Sequence, residues 1–166
     1  MNSCGSNVQK SEIVEVIQGD ENVIETILSF ISRDDTGIDA FVDQTRPAAN
    51  MNNEQIRGAI IAAHSRGVKL RCITEITKSN IESCKELLEI VDELHHLDGI
   101  IGSFYVSNKE CLIPVLVQEK GKPASQIIFW NMKGDLQALE PLQFVWPDLH
   151  TNEVIHYRMM DQSGVG

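Results

Sequence analysis

Between residues 56 and 76 the apolar side chains change their period across one glycine. Ile56, Ala59, Ile60 and Ala63 recur at helical spacing, Gly67 follows Arg66, and then Leu70, Cys72 and Thr74 alternate with Lys69, Arg71 and Ile73. The first pattern is one face of a helix and the second a two-faced strand, with almost no loop between them. Glycine suits the junction because it readily takes the left-handed conformation in which helices end. A helix feeding straight into a strand is the second half of a strand–helix–strand crossover, which joins parallel strands with right-handed chirality. Both strands then end on the same edge of the sheet, where open α/β sheets gather ligands.

The rest of the chain can be arranged around that unit. Upstream, Asp20 is placed to cap a helix whose residues Val23, Ile24, Ile27, Leu28 and Ile31 follow helical spacing to about Arg33; Asp34, Asp35 and Gly37 make a turn, and 37–42 reads as a short buried strand. Residues 43–47 leave it as a loop, because Pro47 cannot donate to a ladder and biases Arg46 away from helix. Asn52 or Asn53 caps the crossover helix. Downstream of the 68–76 strand, Ser79-Asn80-Ile81-Glu82 has the form of a capping box, and Ile81, Cys84, Leu88, Val91 and Leu94 continue one apolar face before Gly99. Further strands are predicted at 100–106, 112–118 and 126–130, with Lys120-Gly121-Lys122-Pro123 between the last two. The fold class is therefore α/β, a mixed and largely parallel sheet flanked by helices with an antiparallel extension. With 166 residues and 42% apolar content there is material for one core. The expected division is a polar N-terminal segment at 1–15, a domain at 16–148 and a C-terminal tail at 149–166 that frays toward Ser-Gly-Val-Gly.

Charge and cysteine content narrow the function. A net charge of -10 opposes unspecific attraction to phosphate backbones or anionic lipid, so nucleic acid is not an expected partner. There is no basic segment leading into an apolar run at the N-terminus and no stretch near the roughly 20 apolar residues that cross a bilayer, so membrane insertion is not expected and the location predicted is cytoplasmic. Cys4, Cys72, Cys84 and Cys111 include no C-x-x-C pair, which speaks for reduced thiols rather than zinc or redox chemistry.

The run IIAAHSRGVKLR at 60–71 resembles the helix–glycine–strand step of phospholipase-D-like domains. Its continuation ITEITKSNIESCKELLEIVDELHHLDGIIGSFYVS, with ENVIETILSFISRDDTGIDAFVDQTRP upstream, strongly resembles the N-terminal input domain of archaeal, especially thaumarchaeal, sensor histidine kinases, over about residues 16–146. The resemblance implies a phospholipase-D-like half without its chemistry. That family's H-x-K-x-x-x-x-D motif, laid on residues 107–114, puts Ser107 in the place of the attacking histidine and Pro114 in that of the aspartate, and only Lys109 matches. Without the imidazole there is no phosphohistidine route, and a serine with no base nearby in sequence is not an activated nucleophile. By the same likeness Asn131 corresponds to a downstream asparagine of the family, and Phe144 and Trp146 to its closing aromatic pair. A histidine kinase also needs a phosphoacceptor helix and an ATP-binding domain, and neither is recognisable; His95 and His96 read instead as favourable charges ending a helix.

The predicted crevice draws on two loops: Asp43, Thr45 and Arg46 after the first strand, and Thr74, Glu75, Thr77 and Asn80 after the second. Lys109 and Asn131 join them through the resemblance. Local roles compete with binding, since Asp43 and Thr45 suit a turn, Asn80 a helix cap and Glu75 a solvated surface. Arg46, Arg71 and Lys109 form a candidate anion pocket, although Arg71 within a strand equally suits an acidic neighbour. His95, His96 and Asp98, with His64 or Cys111, are of metal-ligating types, but adjacent histidines at a helix end point apart, and no metal, cofactor or catalytic residue is expected. The function predicted is a non-catalytic sensory or ligand-binding domain of two-component signal transduction, taking a small polar ligand and pairing with a second copy or a kinase. The rivals are a degenerate phosphodiesterase or nuclease and a scaffolding or dimerisation domain. The loops place Arg46 and Glu75 in one crevice as the residues most expected to meet the ligand.

Overall fold

The structure, a computed structural model, describes residues 13–131; the tail from 149, Phe144 and Trp146 lie outside the described residues. The elements run β1 (Ile13–Gln18), α1 (Asp20–Arg33), β2 (Gly37–Val42), α2 (Arg46–Asn52), α3 (Glu54–Ser65), β3 (Lys69–Thr74), α4 (Ile81–Ile90), β4 (Glu93–His96), β5 (Phe104–Val106), β6 (Glu110–Glu119) and β7 (Lys122–Asn131). They form a mixed seven-stranded sheet in the order β1-β7-β6-β5-β2-β3-β4. The α/β class and the mixed sheet are as the sequence predicts. The balance is different: β2, β3 and β4 are the parallel strands, and the remaining joints are antiparallel.

The crossover forms as predicted. Asn53 Oδ1 accepts from the amides of Gln55 and Ile56, both at 3.1 Å, and starts α3. At the other end Gly67 has φ 86°, its N–H reaches His64 O at 2.9 Å, and Val68 N–H reaches Ala63 O at 3.1 Å. That pair of bonds is a Schellman closure, which satisfies carbonyls the helix would leave open.

Four local expectations are corrected. The N-cap of α1 is Gly19, with φ 89°, and Asp20 is the first helical residue, where its charge favours the helix dipole. Arg46 is helical: α2 begins at Arg46 with Pro47 in its first turn, where the missing amide has no partner to lose. The capping box does not form, because Asn80 is the N-cap of α4 and Ser79 Oγ lies 2.8 Å from Thr77 Oγ1. Finally, α4 stops at Ile90, and residues 93–96 are strand β4, parallel to β3. Asp92 makes the break: its N–H donates to Leu70 O at 2.8 Å and its Oδ2 accepts from Leu70 N at 2.7 Å, which locks the chain onto the sheet. β1 is a strand not foreseen, beginning inside the segment expected to be polar.

Helices α1 and α3 cover Ile38, Leu70, Leu112 and Ile127, while α2 and α4 cover Val42, Cys72 and Leu94. These sheet residues share one face by strand alternation. The opposite face carries Val106 and Cys111 with Phe104, Ile113 and Trp130 packed against them, and a stacked Phe41–Phe104 pair.

Candidate functional site

β2 and β3 are in register from Gly37↔Lys69 to Val42↔Thr74, so their carboxyl ends lie side by side. Thr74 Oγ1 donates to Asp43 O at 3.3 Å across that edge. Asn80, fully buried, accepts from Thr77 N at 2.8 Å and donates to Gln44 O and Glu75 O at 2.8 and 2.9 Å. Asp43 Oδ1 accepts from Thr45 N at 2.8 Å and from the Thr45 hydroxyl, and its Oδ2 accepts from Ser103 Oγ at 2.7 Å. Burial would raise the Asp43 pKa, but these hydrogen bonds and the Arg46 charge outweigh it and hold the carboxyl below its ordinary 3.8. Asp43, Thr45, Thr74, Thr77 and Asn80 are thus brought together, yet largely satisfy one another. They brace the two loops.

Three placements depart from expectation. Glu75 ends on the same edge, but its Oε2 accepts from Gly99 N at 3.0 Å and it is not among the residues that line the cavity at Arg46. Lys109 and Asn131 sit at the other end of the strands, because β5 runs antiparallel to β2 with Val106 opposite Asp39, and Asn131 pairs with Glu110 just beyond. There Ser107 Oγ accepts from the amides of Lys109 and Glu110, a turn role. The anion pocket is likewise dispersed. Arg71 forks Asp39 on the sheet face away from the helices, with Nε–Oδ1 at 2.7 Å. His95 and His96 are strand neighbours on opposite faces; His96 Nδ1 accepts from Ile76 N at 2.9 Å and its Nε2 lies 2.9 Å from Asp98 Oδ1.

What remains is a cavity of ≈ 80 Å³ between the helices and the sheet, apolar over most of its wall and lined in part by Phe30, Ala40, Arg46, Asn50 and Tyr105. Nε of Arg46 is buried and has no hydrogen-bond acceptor among the described residues. Asn50 Nδ2 donates to the Tyr105 hydroxyl at 3.2 Å. Burial pushes the Tyr105 phenol up to about 12, with the Asn50 hydrogen bond and the Arg46 charge opposing it. Asn50, Tyr105 and Ser103 are site residues that sequence reasoning missed. A second, wider groove holds Glu15, Glu25, Arg33 and Glu110, but there Arg33 pairs with Glu110 at 3.0 Å and lies 6.0 Å over Phe129.

No helix among the described residues is long and apolar enough to cross a membrane. No protein-family model and no curated protein matches the chain. Among solved structures, a phosphatidylserine synthase of Haemophilus influenzae Rd KW20 is 9% identical with a TM-score of 0.48, over 81% of this chain and 37% of that one, a likeness too slight to bear on chemistry. TrmBL2, an archaeal chromatin protein with a novel mode of DNA binding, is 18% identical with a TM-score of 0.60, over 87% of this chain. This chain spans 55% of the length of that one. The exclusion of nucleic acid is corrected on this ground: a fold of this kind occurs in a DNA-binding protein, and a net charge averaged over the chain does not rule out a local contact. The mixed α/β fold of this chain is one it shares with that chromatin protein.

Proposed function

We propose that the chain is a non-catalytic ligand-binding domain of the sensory kind, an input module or stand-alone relative in two-component signalling. The observation that carries the reading is the apolar cavity beside the carboxyl edge of β2 and β3 with a buried Arg46 Nε and no acceptor for it. A buried donor without a partner costs free energy in the empty protein, which a ligand acceptor would recover. A pure scaffold has no use for such a cavity. The resemblance of residues 16–146 to kinase input domains supports the sensory part.

The described nucleophile candidates weigh against a hydrolase. Ser107 is held in its turn, and Asp43, kept anionic by its hydrogen bonds, is a weak base for Ser103. Burial raises Cys84 to about 12 and Cys111 to about 11, so these thiols stay protonated at neutral pH. The test is a thermal-shift screen of metabolites and anions on the parent and Arg46→Gln. At least one compound is expected to raise Tm in the parent alone, because a ligand that binds only the folded state stabilises it. Turnover of a generic phosphodiester would overturn the reading.

A second reading is favoured by the TrmBL2 likeness: a module within a larger DNA-associated protein. Fluorescence anisotropy with labelled duplex separates the two, since binding through phosphates weakens steeply with added salt.

A further inference from the structure

We infer that the Arg46 cavity binds a short-chain monocarboxylate, with the carboxylate in the side-on fork of Arg46 and its few-carbon body against the apolar wall. This rests on the reading of the chain as a ligand-binding domain and specifies what that domain takes.

The fork has an example in the same sheet. Arg71 uses Nε and Nη2 together to hold both carboxylate oxygens of Asp39. Arg46 offers the same planar donors, and its Nε is buried with no hydrogen-bond acceptor among the described residues; the Asp43 carboxylate acts on it only through the longer-range charge interaction and is held by Thr45 and Ser103 instead. Tyr105 supplies a second donor. Its oxygen accepts from Asn50, which leaves the phenolic proton free for an acceptor, and burial keeps that proton on at neutral pH, with the pKa pushed up to about 12. One guanidinium and one hydroxyl match two oxygens sharing one negative charge.

The walls exclude the alternatives. A phosphate dianion would bring a second charge and a third oxygen against apolar side chains with nothing to compensate them. A primary amide could also accept from Arg46, but it brings no charge to meet the guanidinium, and hydrogen bonds between ionised partners are the stronger ones. Size limits the body: an apolar cavity of about 150 Å³ accommodates benzene, and this one is ≈ 80 Å³.

Isothermal titration calorimetry of the purified chain with acetate, propionate, butyrate, hexanoate, benzoate, butyramide and inorganic phosphate tests the inference. Propionate or butyrate is expected to bind, with butyramide, phosphate and benzoate at least tenfold weaker. Arg46→Gln is expected to abolish binding, and Tyr105→Phe to weaken it severalfold with an unchanged far-UV circular dichroism spectrum. Equal binding of butyrate and butyramide, binding of benzoate or hexanoate as tight as that of butyrate, or undiminished binding by Arg46→Gln would each overturn it. If no carboxylate binds at millimolar concentration the ligand class falls. The ligand-binding reading falls with it only if the wider metabolite screen finds nothing that depends on Arg46.

Discussion

Asn80 stands at a helix start, where its residue type predicts a cap, yet its amide turns back to hold Thr77, Gln44 and Glu75. It ties the loop after β2 to the loop after β3. Asn80→Ala leaves buried backbone groups without partners and should cost about 1–3 kcal/mol in urea unfolding. Asp43 braces the same edge through Thr45 and Ser103, and its pH dependence has a definite sign. Its folded pKa lies below the ordinary 3.8, so its stabilisation is complete above that value and is lost as the pH falls through the lower folded value. Urea midpoints carried from neutral pH into acid should therefore show the parent above Asp43→Asn at neutrality and the two converging in acid. Asp43, Thr45, Thr74 and Asn80 were legible as candidates because polar residues just past a strand end are conspicuous in sequence. Their mutual satisfaction was not, because Ser103 reaches Asp43 only through the antiparallel register of β5, and a single sequence does not encode register visibly. Arg46 was legible by type and misplaced by conformation.

At the scale of elements, glycine separates backbone geometry from packing. Gly67 has φ 86° and open space where a Cβ would stand, and Gly58 inside α3 is equally open. Gly67→Ala should therefore destabilise by about 1 kcal/mol through left-handed strain alone. Gly58→Ala should stabilise by about 0.5–1 kcal/mol, since alanine loses less backbone entropy in a helix. Thermal unfolding of the two variants checks both signs with one chemical change. The helix–glycine–strand step was readable because its signals are local: a period, a cap and a stop. β4 was not, because Val91 and Leu94 continue the helical spacing of α4, and what ends that helix is the pairing of Asp92 with Leu70 across the sheet. α2 escaped for the converse reason, since the same Pro47 that disfavours helix in residue 46 is tolerated in a first turn.

For the molecule as a whole, parallel strands at one end of the sheet and antiparallel strands at the other raise the question of whether the halves are stable separately. The core answers it. The cluster beneath α1 and α3 spans β2, β3, β6 and β7, while that beneath α2 and α4 spans β2, β3 and β4, and Ile60, Val91 and Tyr105 pack against both. Apolar burial that runs unbroken across both halves couples their unfolding, as in most domains of this size. With Trp146 replaced by phenylalanine, tryptophan fluorescence reports Trp130 on β7, at the antiparallel end, and far-UV circular dichroism reports the helices. The two urea midpoints should coincide. Ile60→Ala, which removes a side chain packed against both clusters, should shift both midpoints down together, a loss of about 1–3 kcal/mol in unfolding free energy by either probe, less than at a fully buried site because Ile60 is only partly covered. Two separated transitions, or a shift of one probe without the other, would show that the parallel strands and the antiparallel extension fold as independent bodies, and the Arg46 cavity, whose wall takes residues from β2 and β6 alike, would then lie across a boundary rather than inside one core.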